Sequence, residues 1–290
     1  MLVDDKPVIT GYVDDVNISY DAGARSISIA GRDNTGDLVD CSAPLGQIHN
    51  QNLLELAERL CKPYDIKVIS ETDIGVRFET FAPSSEESVF DALSSKARAR
   101  GVLLNSDGNG RLVIARASKE RIRSILLLGD NILACSASFS HKDRFSEYTV
   151  IGSRNPTDDD STVDVWAHIS AKSSDTAVAR HRPLRIQASQ SIHQKTARLI
   201  ADWERNVHYG QSQRIQYTVQ GWNYDTGKLW PINRLVAVKD ESIGVDADLL
   251  ISTVAFVLDD GGTRTEMELV PREAFDLLAL PKDGDPWSSL

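Results

Sequence analysis

The chain has 290 residues, 41% hydrophobic and 26% charged, an ordinary globular composition with length enough for two or three cores. Its 32 basic and 42 acidic residues leave a formal charge of −10, which repels phosphate backbones and argues against general or sequence-specific nucleic acid binding. No apolar run approaches the roughly 18 residues of a membrane helix, and MLVDDKPVITG lacks the basic start and apolar centre of a signal peptide, so neither a membrane segment nor secretion is expected.

The first element is a hairpin. Val16, Ile18 and Tyr20 alternate with Asn17 and Ser19, DAGA at 21–24 supplies turn residues, and Ile27 and Ile29 alternate with Ser26 and Ser28. One face of it is apolar. The block GRDNTGDLVDCSA that follows, residues 31–43, sets Leu38, Val39 and Cys41 among aspartates and glycines. Such a block is either an acidic site or a structural corner.

Composition shifts at Pro44. Leu53, Leu56, Ala57, Leu60 and Cys61 fall at helical spacing until Pro63, and extended pieces follow at 66–69 and 76–81. PSSEESVFDALSSKARARG predicts a second helix with Ser84 and Glu87 as a capping box, Val89, Phe90, Leu93 and Ala97 as its stripe, and Gly101 at its exit. VLLN and RLVIA then flank the SDGNG turn as a hairpin.

Beyond the basic joint SKERIRS, strands are expected at 124–128 and 148–152. Residues 154–175 read as a polar excursion with one interrupted strand candidate, VDVWAHI. A strong helix then carries Ile192, Thr196, Leu199, Ile200, Trp203 and Val207 on one face, which needs a partner surface. The last third is β: Ile215, Tyr217 and Val219 alternate with polar residues, NYDTGK is a loop, RLVAVKD a strand, and LLISTVAFVL pairs with TRTEMELV across the DDGG turn at 259–262. A barrel or a sandwich is implied.

Chemistry has no anchor in the sequence. His49, His141, His168, His181, His193 and His208 show no metal-ligand spacing. The acid pairs Asp4 and Asp5, Asp14 and Asp15, Asp259 and Asp260, and the run 158–160 read as solvated turns, since they do not place two carboxyls across a sugar cleft. GNG at 108–110 is a hairpin turn without the helix that cradles phosphate. Cys41, Cys61 and Cys135 are expected to be buried free thiols. Catalytic, cofactor-binding and metal residues are therefore each expected to be none, and no cofactor is implied. Of the tryptophans 166, 203, 222, 230 and 287, Trp203 and Trp222 are expected in cores, and Trp230 is the one that could stack a sugar. Residues 172–214 hold eight lysines and arginines (172, 180, 182, 185, 195, 198, 205, 214) against three acids (175, 202, 204), an excess of five. This is either a solvated helix or a dock for an acidic neighbouring subunit.

GYVDDVNISYDAGARSISIAGRDNTGDLVDCSA, an α+β unit, GKLWPINRLVAVKD and DLLISTVAFVLDDGGTRTEMELVPREAF together resemble the baseplate hub proteins of Mu-like contractile-tailed phages, which are similar to the central hub of phage T4 and to the hub module of type VI secretion spikes. The resemblance implies a structural protein and no enzyme: a homotrimer whose two similar β-barrel domains per chain form a pseudo-sixfold ring between the tail tube and the central spike. The resemblance further implies a place in the virion tail baseplate and assembly in the bacterial host cytoplasm. The expected fold is α+β, mainly β, with two antiparallel barrels of the tube type and a small α+β domain between and around them. The resemblance also implies several strands ahead of Gly11, so the first barrel is expected to be incomplete here. The expected division is 1–46 for the partial first barrel, 47–117 for the α+β domain, 118–152 with 209–275 for the second barrel, 153–208 for a polar excursion and helix packed with the α+β domain, and 276–290 for a tail. A carbohydrate- or receptor-binding tail module using Trp230 is the alternative, and a cell-wall hydrolase a weaker one. On the hub reading, the aspartates of 31–43 serve turns and helix starts.

Overall fold

The computed structural model describes residues 1–74, 77–154, 167–187 and 194–275. The fold is α+β and mainly β, in two compact units that meet between Arg116 and Ala117.

The first unit opens with a two-residue pairing, Leu2–Val3 against Lys6–Pro7, whose turn is the acid pair Asp4 and Asp5, both with positive φ. The aspartates are there because Asp tolerates the left-handed backbone that such a turn requires. Next comes the expected hairpin, Gly11–Tyr20 against Arg25–Asp33. Asp33 accepts hydrogen bonds from the Thr35 backbone N–H and hydroxyl, and Asp37 lies in the first turn of the short helix Gly36–Asp40.

The α+β part follows from its helical stripes. Helix Leu53–Cys61 starts at Asn52, whose side chain and Glu55 make a reciprocal capping box, and it buries Leu53, Leu56, Ala57, Leu60 and Cys61. Pro63 sits where its missing N–H costs nothing, at the start of the single turn Lys62–Tyr64. The second helix, Val89–Ala99, starts later than the capping-box spacing suggests. Ser84 and Glu87 close a turn ahead of it, and Ser88 is the cap, accepting from Asp91 N at 3.1 Å. Val89, Leu93 and Ala97 are buried, and Gly101 leaves with φ of 63°. The two helices pack with a two-stranded sheet (Ile48–Gln51, Phe78–Phe81) and a three-stranded sheet in the order Val68–Ser70, Leu112–Ala115, Leu103–Ser106 around one core.

The second unit is built on a six-stranded sheet in the order Arg121–Leu127, Leu235–Asp240, Val245–Asp259, Gly262–Val270, Gln213–Gln220, Ile132–Phe139. Its outermost strands are consecutive in the chain and joined by only the four residues 128–131. A link of that length reaches about 17 Å at most, so the sheet must curl until its edges approach at that end, yet the two edges do not pair. One pairing departs from the antiparallel expectation: Arg121–Leu127 runs parallel to Leu235–Asp240. Parallel neighbours need a long connection, and here more than a hundred residues intervene, including the whole three-stranded sheet and long helix.

That second sheet, Ala167–Ser174, Glu147–Arg154 and Pro183–Gln187, separates residues 147–152 from the barrel strands with which the sequence grouped them. Val150, Ile169 and Ala171 on one face receive Ala197, Ile200 and Ala201 of helix Gln194–Gln211. The stripe is thus covered within its own unit. Its buried line runs through Ala197, Ile200, Ala201 and Val207, while Leu199 is exposed, because two alanines bring the helix close to the sheet and turn Leu199 outward. Ile192 and the DDD run lie outside the described residues. The ion pair between Arg144 and Asp175, 2.6 Å and almost wholly buried, fastens the 140–145 loop beside this sheet.

Candidate assembly surfaces

The N-terminal hairpin is a ribbon with nothing packed on either broad face among the described residues. All ten residues of its first strand and eight of the nine in its second are exposed. Val16 pairs with Ile29 and Ile18 with Ile27; a bulge between Val13 and Asp15 resets the register so that Val13, opposite Gly31, joins the same side. One face therefore carries Val13, Val16, Ile18, Tyr20, Ile27 and Ile29 with Arg25 at the tip, and the other Asp15, Asn17, Ser19, Ser26 and Ser28 with Tyr12, Ala30 and Arg32.

The ribbon is held at its base. Asp14, in the bulge, accepts from Arg32 Nε at 2.7 Å, and the same guanidinium reaches Asp40 of the short helix at 2.6 Å. Asp40 is held below the usual carboxylate range by its hydrogen bond from Arg32. Thr10 Oγ1 donates to the Gly108 carbonyl at 2.8 Å, Asn34 N donates to the Thr10 carbonyl at 3.0 Å, and a Cβ at Gly108 would run into the Pro7 carbonyl. The GNG turn is therefore structural, and its backbone is the footing of the ribbon. The aspartates of the 31–43 block divide between turn, helix start and this anchor.

The six-stranded sheet is sided differently. Ile215, Tyr217, Val219, Met267 and Leu269 are buried inside its curl, and Arg214, Gln216, Thr218, Glu266 and Glu268 point away from it beside Ser136. Tyr217 donates to Asp240 at 3.1 Å, both buried, and burial raises the phenol well above its ordinary pKa. The edge strand Ile132–Phe139 is not expected from the sequence. Its run of Ala, Cys and Ser has weak strand propensity, and only the spaced Cys135, Ala137 and Phe139 hint at it. It leaves Leu133 and Phe139 about half exposed.

The other singled-out residues have local roles. His49 faces Thr80 across a strand pair at 3.1 Å, His141 and His181 are exposed, and His208 lies 3.7 Å from Glu204 with Phe145 and Tyr148 around its ring. Of His168 only the backbone, in strand Ala167–Ser174, is described, and His193 lies outside the described residues. No three His, Cys, Asp or Glu side chains gather among the described residues. Asp259 accepts from Gly261 N and pairs with Arg264 at 2.6 Å, closing the 259–262 turn, in which only Gly262 takes positive φ.

Two expectations need correction. Trp230 is not a sugar platform: it is 5% exposed inside the barrel-like sheet, its ring 5.7 Å from that of Tyr224, because the chain after Lys228–Leu229 folds back into the curl. Cys61 is buried, with its thiol pushed up to about 12 by burial, but Cys41 is half-buried and Cys135 exposed, since the latter stands on an edge strand. Trp222 is half-buried and donates to the Val257 carbonyl, Trp203 is half-buried on its helix, and Trp166 and Trp287 lie outside the described residues.

Half of the eight basic residues in the segment 172–214 pair with acids, and Arg182 donates to the Lys142 carbonyl. Lys172 pairs with Glu147, Arg198 and Arg205 with Asp202, and Arg214 with Glu268. Arg180 and Arg185 are exposed. Lys195 is described only in its backbone. No helix is long and apolar enough to cross a membrane among the described residues.

Comparison with known proteins gives these surfaces a context. Residues 1–33 match the N-terminal domain of Mu phage baseplate assembly protein GpP-like proteins, residues 35–116 the second domain of gp44-like baseplate hub proteins, and residues 193–278 the fourth domain of Mu phage baseplate assembly protein GpP. The chain is similar to the 43 kDa tail protein of prophage MuSo2 from Shewanella oneidensis, 40% identical with a TM-score of 0.84 over 95% of this chain and 82% of that one. It shares its fold with the tail protein from Neisseria meningitidis MC58, 24% identical with a TM-score of 0.81 over 97% and 85%. It is 35% identical to the baseplate hub protein gp44 of Escherichia phage Mu, across 92% of this chain and 73% of that protein. With that identity over most of both chains, the protein belongs to the baseplate hub family of Mu-like phages and is a structural component of a contractile phage or prophage tail.

Proposed function

We propose that three copies of this chain close into a ring that joins the tail tube to the central spike, with the ribbon and the six-stranded sheet as its two barrel-type parts. The division at 1–46, 47–117 and 276–290 is part of this reading, with 118–139 and 209–275 in the second barrel-type part and the sheet and helix of 147–208 beside them in the same unit. The observation that carries it is the ribbon itself: a long, anchored, two-stranded sheet with an uncovered apolar face and two unpaired edges. Isolated two-stranded ribbons are marginal in water, and unpaired edges invite strand pairing with another chain, so this element makes physical sense inside an assembly. Rings of like subunits form when head-to-tail contacts close on themselves.

The outward face of the six-stranded sheet, with Gln216, Thr218, Glu266 and Glu268 and with Arg214 paired to Glu268, suits a bore, since polar and net acidic walls do not retain DNA. In this reading the partners are further copies of the chain, the spike, the tube and other baseplate proteins. No bond is made or broken, no cofactor or metal is needed, and assembly takes place in the host cytoplasm. Light scattering on the purified protein is expected to return three times the chain mass across a hundredfold range of concentration, and negative-stain images a threefold ring with a central hole. A monomer at tens of micromolar would overturn the proposal.

A further inference from the structure

We propose that Asn109 is a site of spontaneous deamidation held shut by Asp107 and Arg111, so that this pair guards the turn on which the ribbon stands.

The liability is local chemistry. Asn109–Gly110 is the one Asn-Gly pair of the chain. In such a pair the glycine nitrogen, with no side chain beside it to hinder approach, gives its proton to solvent and attacks the asparagine Cγ. The new N–Cγ bond closes a succinimide ring, and the Cγ–Nδ2 bond breaks to release ammonia. Water then opens the ring at either carbonyl, leaving aspartate, or an isoaspartate whose main chain is longer by one methylene. The preceding pair, Asp107–Gly108, can close the same ring with loss of water, and does so from the protonated carboxyl. Neither glycine is replaceable here. A Cβ on Gly108 would run into the Pro7 carbonyl, and one on Gly110 would stand 2.7 Å from the Thr10 carbonyl oxygen and from Asn34 Nδ2. Gly110 also takes φ of 71°, which side chains avoid. Both reactive pairs thus follow from seating the turn against the base of the ribbon.

Asp107 opposes each route. Its Oδ1 accepts from the backbone N–H of Asn109 and of Arg111, both at 3.0 Å, and its Oδ2 accepts from Arg111 Nε at 2.7 Å, a charge-assisted and therefore strong hydrogen bond. Asn109 Nδ2 reaches the same Oδ2 at 3.4 Å, which turns the amide back along the chain when attack needs it turned toward Gly110. The attacking nitrogen is engaged as well. Gly110 is buried, and its N–H donates to the Asp107 carbonyl at 2.9 Å, so its proton is withheld from solvent. Burial opposes the charge of Asp107, but the hydrogen bonds from Arg111, side chain and backbone, and from Asn109 outweigh it and hold the carboxyl below the usual carboxylate range. The acid form that ring closure at Asp107–Gly108 needs is therefore scarce.

The test follows Asn109 by peptide mapping and mass spectrometry in the full-length protein, held for weeks at mildly alkaline pH and body temperature, with the same chain unfolded in guanidinium chloride as the unguarded reference. The folded chain is expected to convert at least about thirtyfold more slowly than the unfolded one, because conversion must wait for the turn to open. Asp107→Ala is expected to speed conversion in the folded protein by roughly tenfold to a hundredfold, the factor by which losing hydrogen bonds to a charged group raises the open population. Asn52→Ala, which weakens the same unit away from the turn, is expected to leave the rate unchanged. Folded and unfolded chains converting alike would show the turn to be unguarded. An unchanged rate in Asp107→Ala would put the protection in the hairpin backbone alone, and equal acceleration by Asn52→Ala would trace it to unfolding of the whole unit. Each of these overturns the proposal. Should Asp107→Ala lose its native far-UV circular dichroism spectrum, Arg111→Gln replaces it, since it removes the grip on the carboxylate and leaves the backbone hydrogen bonds of the turn, and an unchanged rate there is equally fatal.

Discussion

The ribbon Gly11–Asp33 and the hairpin formed by Val245–Asp259 and Gly262–Val270 are both long antiparallel pairs closed by Asp- and Gly-containing turns, and both alternate apolar with polar side chains. In the second, Ile251, Met267 and Leu269 are buried in the curl of the six-stranded sheet; in the first, Ile18, Ile27 and Ile29 are bare. Alternation thus specifies that a strand pair has a side to hide, and says nothing about who hides it. In the second unit the cover is intramolecular. In the first no described residue supplies one.

The sharpest way to break this contrast is to shorten one isoleucine in each hairpin. Ile251→Ala is expected to cost about 2–5 kcal/mol, because it removes a fully buried side chain and leaves a cavity. Ile18→Ala, measured on dilute protein, should stay within about 0.5 kcal/mol. All five tryptophans follow residue 117, so fluorescence during urea unfolding reports the second unit alone, and circular dichroism, to which both units contribute, gives the first by difference. Equal costs at the two positions would mean that the ribbon is covered within its own subunit.

A smaller effect separates two tyrosines. Tyr217→Phe deletes the donor to buried Asp240 and should destabilise the second unit by about 1–3 kcal/mol, the cost of leaving a buried acceptor short of a partner. Tyr20→Phe on the ribbon is expected to be silent in the same urea titration. Smaller again is the cap of the first unit: Asn52→Ala should cost about 1 kcal/mol by removing one half of the capping box. Although its site is only half-buried, that change should exceed Ile18→Ala, showing that the first unit's stability resides in its α+β part.

How far these regions are legible in the sequence follows from the same distinction. The helix Leu53–Cys61 is legible because its five apolar positions and its proline stop agree, and the ribbon and the strand Gln213–Gln220 because their alternation is strict. The second helix begins a turn later than its sequence suggests, since two Ser-x-x-acid spacings follow one another there, Ser84 with Glu87 and Ser88 with Asp91, and only packing decides between them. Ile132–Phe139 is hidden in the sequence: alanine, cysteine and serine carry little strand signal, and its place is set by pairing with Gln213–Gln220, far away along the chain. Trp230 misleads for the opposite reason, since a tryptophan beside turn residues looks exposed until the fold returns it to the core. The apolar side of the ribbon is readable, but its bareness is not, because exposure is a property of the neighbours.

The last contrast concerns two carboxylates, whose own contributions to stability should change with pH in opposite directions. Burial holds Glu204, in the long helix, above the usual carboxylate range, with His208 partly offsetting it. A raised folded-state pKa means that the native state binds the proton more tightly. Its contribution is therefore complete below the unfolded value, about 4.3, and is lost as pH rises through the folded value. Glu204→Gln should raise Tm at pH 8 by roughly 2–4 °C, with no gain at pH 4. Glu55 in the first unit is held low by the hydrogen bond from Arg77, then by that from Asn52, so its contribution is present above the unfolded value and lost as pH falls through the folded one. Glu55→Gln should therefore lower the first unit's midpoint at pH 7 and leave it unchanged near pH 2, followed by circular dichroism. A Glu204→Gln protein that is less stable than the original at pH 8 would show that the carboxylate, with His208 beside it, is a satisfied ion pair and not a buried liability.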